Sequence, residues 1–299
     1  MSLLLFQISE VASQINYLNY HREILKAEQL FFIHQFDSSI HSYRDIFIRY
    51  PKPFAKDCFI ALQFAGLRKD TASASFFFLK AFENGVKLED LYKAKHIATL
   101  LSDVGYRNYV VEIYKRGRRS YLTSINRTLR DSINRMLKRD FIAKSLAVGK
   151  IKEHKIYRDS NFIYHFSGED VAILDENLQT LIKLVKSYGY PGQHLIGLED
   201  DELDSARSKK DYLFSSIADI ILFHHTCGLY FLKKDLLKAI ETGELLPREY
   251  ALIYQWAYDD YYKSKGQLRG GNTVWHTEVK CDYPRQTEFY NNYLNPFFL

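Results

Sequence analysis

From Ser9 to about Lys115 apolar residues return every three or four positions, a spacing that puts them on one face of a helix and on no single face of a strand. Phe32, Phe36, Ile40, Tyr43 and Phe47 form one such stripe, and Pro51 and Pro53 close it because proline cannot continue a helix. Phe59, Leu62, Phe64 and Ala65 begin another. Asp70 to Asn84 carries Ala72, Phe76, Leu79 and Ala81 and stops at Gly85, where a C-cap glycine belongs. With 6 Pro and 14 Gly in 299 residues, a turn-rich all-β fold is disfavoured, and 23 Tyr and 21 Phe predict aromatic cores. The fold class expected is mostly α, with at most a minor β element near 160–166 or 270–283.

The first two helical units match each other at a spacing of about 33 residues. Phe31 maps to Phe64, Asp37 to Asp70, Tyr43 to Phe76 and Ile46 to Leu79. Small residues (Ala61, Ala65, Gly66, Ala72, Ala81) stand where two helices must cross closely, and aromatics stand where they interlock. The segment from Ala61 to Gly85 resembles a tetratricopeptide-type repeat. The resemblance implies a short helical-repeat domain over 1–120 that caps itself with a third helix pair from Leu88 to Tyr114, followed by a C-terminal helical domain over 121–299. Repeats of this type present extended surfaces, so the expected partner of this half is a protein or peptide.

Charge is unevenly distributed. The chain's net charge is +5, yet residues 115–158 hold 14 Lys/Arg against 3 Asp/Glu, while acids gather in Glu199–Asp204. Leu122 to Ala147 reads as one long basic helix on which Arg127, Arg130, Asn134 and Lys138 form a stripe. That stripe suits phosphate contacts, so nucleic acid is a possible partner through 115–158. The absence of interleaved aromatics favours instead a solvated face, or one that docks the acidic run. Cys58, Cys227 and Cys281 show no framework or zinc spacing, so no disulfide is expected, and a reducing compartment follows. The first residues lack a basic leader, and no stretch approaches a membrane span. The expected location is cytoplasmic, with no membrane partner.

Further along, Asp175 reads as the N-cap of a helix to Tyr188, Gly189-Tyr190-Pro191 as a break, and helices follow over 212–225, 230–242 and 247–265, then a loop or small hairpin around Gly270-Gly271-Asn272. Several elements of this half stand in a characteristic order: Asp140-Phe-Ile-Ala-Lys144, the helix from Asp175 into Gly189-Tyr190-Pro191, Gly197, Phe223-His224-His225, Asp259-Asp260, and Gly266 to Thr273. In that order residues 121–280 resemble an uncharacterised bacterial domain family, whose pattern is Asp-Gln-x-x-Arg, Gly-Trp-Pro, Gln-His-Ala, Asp-Arg and a Gly-x-Pro-Gln-x-Tyr-Gly-Thr-Gln tail. Here Lys144 stands for the Arg, Tyr190 for the Trp and His224 for the Gln. The tail lacks the Pro, both Gln and the Tyr. The resemblance implies a domain and its limits, and names no activity.

His224 and His225 are the sharpest candidates. Neighbours on a helix point about 100° apart, so the two cannot face one site equally. His225, the family-matched one, is the candidate base, with Asp259 or Asp140 as its orienting partner. The plain alternative is a hydrogen-bonded histidine that holds helices together. Lys144, four residues from Asp140, and Arg269 in the glycine-rich tail are candidate anion anchors together with His224, and Tyr190 would pack over the site or the core. No His-x-x-x-His, Walker, dinucleotide or nucleophile-elbow motif is present, so neither metal nor cofactor is expected. The leading expectation is a cytoplasmic interaction or adaptor protein with a C-terminal ligand-binding domain. The alternatives are a hydrolase or transferase using His225 with Asp259 on a peptide or anionic substrate, and a nucleic-acid binder.

Overall fold

Helices begin where the chain offers caps and end where it offers turns. In the computed structural model, which describes residues 16–153, 164–166, 169–198, 217–225, 227–264, 268–270, 273–275 and 281, Asn16 caps α1 (Tyr17–Phe32) by accepting from the Leu18 N–H. Two helical hairpins follow one another, α1 with α2 (Phe36–Arg49) and α3 (Ala55–Arg68) with α4 (Thr71–Glu83). Asp70 caps α4 by accepting from the Ser73 N–H, and Gly85, at φ +93°, takes the left-handed turn after it. The buried face of α4 is Ala74, Phe77, Phe78, Ala81 and Phe82, while Phe76 is only half-buried. Phe31 and Phe64, the residues matched by the internal repeat, stack ring on ring with centroids 3.5 Å apart.

The third pair is uneven. A single turn, α5 (Leu88–Leu91), and a short α6 (Lys95–Leu100) precede the long α7 (Val104–Ser124), which packs along α4. Gly66 admits the close approach of α3 and α6, since a Cβ there would lie 2.8 Å from the His96 carbonyl oxygen. These helices enclose an aromatic core around Tyr20, Tyr43, Phe47, Phe54, Phe77 and Phe78.

The single basic helix expected from Leu122 to Ala147 is two helices. Ile125 and Asn126 separate α7 from α8 (Arg127–Glu153), because Asn126 leaves the helical path to cap α8 through the Leu129 N–H while its own N–H reaches the Leu195 carbonyl at 2.7 Å. The expected basic stripe is also broken. Arg130 is buried and donates to the Leu198 carbonyl, which Tyr121 Oη also approaches at 3.3 Å. Arg130→Ala is expected to lower the unfolding free energy by about 2–3 kcal/mol in urea titration, the loss of a buried charged donor, and Arg130→Lys to recover little because it lacks the planar fork.

A second core gathers α8, α9 (Glu169–Tyr188), α11 (Ile217–His224), α12 (Gly228–Thr242) and α13 (Pro247–Ser264), with the single turn α10 (Gln193–Ile196) on its edge. Asp175, expected at a helix start, lies inside α9 and is buried. A three-stranded sheet of order β1-β3-β2 completes the fold. β2 (Leu268–Gly270) and β3 (Thr273–Trp275) pair antiparallel, with Arg269 opposite Val274, and β1 (Tyr164–Phe166) runs parallel to β3. The hairpin packs on α11 and α13 through β2. Cys227 and Cys281 form a disulfide, contrary to the expectation of free thiols, and Cys58 is a buried thiol. Nothing in their spacing signals this pairing, because the two lie 54 positions apart and only the tertiary fold brings their Cα atoms to 5.4 Å.

The two cores meet along a shared seam. α1 packs on α12, Gln193 Oε1 accepts from the Ala55 N–H at 3.1 Å, and His194 lies between Tyr17 and Phe54. Among the described residues no helix is long and apolar enough to cross a membrane.

Candidate functional site

Three helices bring two His–Asp pairs side by side. α11 is almost wholly apolar and runs along α8 and α9, so its final residues are held between them. His224 Nδ1 contacts Asp140 Oδ2 across to α8. His225, just past the helix end, places Nε2 2.7 Å from Asp175 Oδ1 on α9. His224 closes α11 and His225 leaves it, and the two imidazoles reach different neighbours.

The pairs differ in burial and in the contacts of their rings. His225 is spent on both sides, because Nδ1 accepts from the Cys227 N–H at 3.2 Å while Nε2 donates to Asp175. This assigns its proton to Nε2, and with a side chain 1% exposed it binds α9 to the start of α12. His224 is 18% exposed, and its partner Asp140 is 1% exposed. Asp140 at Nδ1 selects the tautomer with the proton there, which makes Nε2 the basic nitrogen. Asp140 Oδ1 is buried without a hydrogen-bond partner among the described residues, so the carboxylate leans on His224. Arg139 pairs with Glu176 beside the site, tying α8 to α9 at the surface.

The structure therefore redistributes the residues singled out in the sequence. Asp140 contacts His224 and not His225, and the carboxylate found on His225 is that of Asp175. Lys144 belongs to α8, Asp259 to α13 and Arg269 to β2, and the placement of their side chains lies outside the described residues, as does all of 199–204. Tyr190 is buried, and its hydroxyl donates to Asp219 of α11, which is fully buried too. Burial and the facing Asp219 carboxylate hold the Tyr190 hydroxyl well above the usual phenol range. Glu249 of α13 is buried near Asp219, and burial together with that carboxylate raises it, while the Leu246 N–H donates to it at 2.9 Å.

Sequence reading misses Asp175 and Asp219. The signal was present: both follow apolar runs (Val171-Ala-Ile-Leu174 and Ile217-Ala218), and an acid on a buried face must have a partner. Their partners, separated by 50 and 29 residues, are fixed only by packing. Among the described residues no group of three or more His, Cys, Asp or Glu is placed to hold a metal ion. No protein-family model, curated protein or solved structure matches the chain.

Proposed function

We propose that the C-terminal half carries a proton-transfer site for hydrolysis or group transfer on a peptide or anionic substrate, with His224 as the base and Asp140 as its positioning residue. The observation that carries this reading is a dry carboxylate on the Nδ1 of a partly exposed imidazole. Nε2 of such an imidazole takes a proton from water or a substrate hydroxyl, and Asp140 stabilises the resulting imidazolium and keeps the ring oriented. His225 holds the elements that carry the pair.

The test is turnover of ester, phosphoester and peptide panels by the full chain, with variants of each histidine. His224→Ala is expected to lose about 10²–10⁴-fold in kcat/KM while its melting temperature changes little, with partial recovery by added imidazole. His225→Ala is expected to show its loss in stability first. Turnover that survives His224→Ala, or a wild-type chain inert towards all three classes, sinks the reading.

A second reading is an interaction role for the stacked hairpins α1–α4. It is favoured by Leu25, Phe32 and Ile33, which are exposed together along and just beyond α1. The face of α1 towards α12 is already occupied within the chain, which confines a protein or peptide partner to the outer edge. Binding of nucleic acid through 115–158 would have to use the exposed Arg116, Arg119, Arg127 and Arg135 without Arg130. A cytoplasmic location remains part of this proposal, and there the Cys227–Cys281 bond would open and close with redox poise, since permanent disulfides belong to oxidising compartments.

A further inference from the structure

Residues 104–139, which form α7 and the first half of α8, hold 10 Lys/Arg against 2 Asp/Glu on a chain whose net charge is only +5. α7 packs along α4 and turns Val110, Ile113, Gly117 and Tyr121 inward. Its outward side carries Tyr109, Glu112, Arg116, Arg119 and Thr123 in one line, all of them exposed, Tyr109 by 53%. Lys115 pairs with Glu112 at 2.6 Å, which offsets the one carboxylate on that line. Arg116 and Arg119 make no ion pair among the described residues. Arg127 extends the line. It opens α8, and its Nε donates to the Leu122 carbonyl at 3.1 Å, which lays the guanidinium against the last turn of α7. At 1.5 Å per residue, Tyr109 to Leu122 covers about 20 Å of helix axis. The face is rigid, because the end of α7 is tied down where Tyr121 Oη accepts from the Leu198 N–H at 2.7 Å.

We infer that the outward face of α7, together with Arg127, binds single-stranded nucleic acid, with Tyr109 stacked on an unpaired base and Arg116, Arg119 and Arg127 on phosphates. A guanidinium is a planar fork that meets two phosphate oxygens at once. A row of three along a rigid helix matches the repeating charge of a strand better than a lone anion. The ring of Tyr109 decides between polyanions. An unpaired base offers its face to such a ring, the bases of a duplex are closed by their neighbours, and an acidic protein has no comparable group at each charge. The basic stripe expected on α8 carried no aromatic and loses Arg130 to the core, whereas the face on α7 has both cations and a ring. Strand binding stands whether or not His224 turns over a substrate.

The experiment is fluorescence anisotropy of labelled oligothymidylate and oligouridylate, each of about 20 nucleotides, titrated with the full chain as salt is raised from about 50 to about 300 mM. The logarithm of the association constant is expected to fall against that of salt with a slope of about −2, three phosphates at about 0.7 each. Arg116→Ala combined with Arg119→Ala should bring the slope to about −0.7 and weaken binding about tenfold or more. Helical circular dichroism should not change, because both side chains are exposed. Tyr109→Ala should weaken binding about tenfold and leave the slope as it was, since stacking releases no counterion, and Tyr109→Phe should restore the affinity. Arg107→Ala is the control. It removes an equal charge at an exposed position nine residues from Arg116, half a turn round α7, so binding should change less than about twofold. No binding at low salt overturns the proposal, as does a salt slope that the double variant leaves unchanged. So does a Tyr109→Ala chain that binds like the wild type, or a complementary duplex that binds as tightly as the strand. Polyglutamate that displaces the strand charge for charge would assign the face to an acidic protein instead.

Discussion

Gly192→Ala is expected to destabilise the protein by about 3 kcal/mol or more, beyond the usual cost of overpacking, because the atom it would meet is backbone. A Cβ built there lies 1.7 Å from the Glu244 carbonyl oxygen and 2.5 Å from its carbon. No rotamer change relieves that overlap, so either the 189–197 loop or the turn between α12 and α13 must move. Both are pinned. Leu195 N–H donates to Glu244 Oε2 at 2.9 Å, and the Gln193 side chain accepts from Ala55 across the seam. Gly189→Ala is the control. Its φ of +84° disfavours a side chain, but nothing lies within 4 Å of its Cβ, so about 1 kcal/mol is expected. In thermal melts this should separate the two variants by several degrees. Equal melting temperatures would mean that the loop and the turn are not in contact.

The second large effect is a pair of opposite pH dependences at the seam. Burial pushes His194 down to about 3, with Lys52 and His21 adding repulsion and a backbone hydrogen bond to Pro53 opposing. Burial likewise takes His21 down to about 4, with Lys56 adding to it and the Ile240 backbone opposing. Both rings keep an unpartnered Nε2 among the described residues. An unfolded histidine binds its proton near pH 6.5, which the folded one refuses, so each costs stability as pH falls below 6.5 towards its folded value. Two carboxyls act in the opposite sense. Burial raises Glu244 to about 7, against hydrogen bonds from the backbone of Leu195 and His194 and the charge of Lys52, and raises Asp57 to about 6, against Lys56 and the Tyr20 hydroxyl. Each keeps a proton that the unfolded chain gives up, so its stabilisation is full in acid and is lost as pH rises through the folded value.

All four windows overlap between pH 4.5 and 6, where one group corresponds to about 1.4 kcal/mol per pH unit. Measured against the wild type, so that every other titration cancels, His194→Leu is expected to gain that amount for each unit of acidification, and Glu244→Gln to lose it. Urea unfolding at pH 4.5, 5.2 and 6 decides the matter. Slopes of the same sign, or none, would show that the seam admits water and that these groups titrate as in the unfolded chain.

What could be read before folding is local. The three-and-four spacing of Phe and Tyr foretold helices through residue 115, and Asp70 with Gly85 marked both ends of α4, because caps and glycines act within one turn. The same local logic failed at Asn126. A polar residue amid a helical pattern reads as solvent-facing until the Leu195 carbonyl, 69 residues away, is there to draw its N–H out of the helix. It failed again at Arg130, which looked like part of an exposed stripe and is instead buried against Leu198.

The site divides along the same line. His224, His225 and Asp140 stand out in the sequence because ionisable groups on apolar or basic helices demand an explanation. Which carboxylate meets which imidazole was not legible, since the chain leaves α11 between the two histidines and their partners lie on α8 and α9, set only when α11 packs against both. The disulfide is the extreme case, two cysteines 54 residues apart with no motif between them. The sequence alone determined helix, cap and composition, which depend on neighbours a few residues away. The pairing of charges, the break between α7 and α8, the seam around His194 and the Cys227–Cys281 bond depend on distant segments excluding the same water, and so only the tertiary structure decided them.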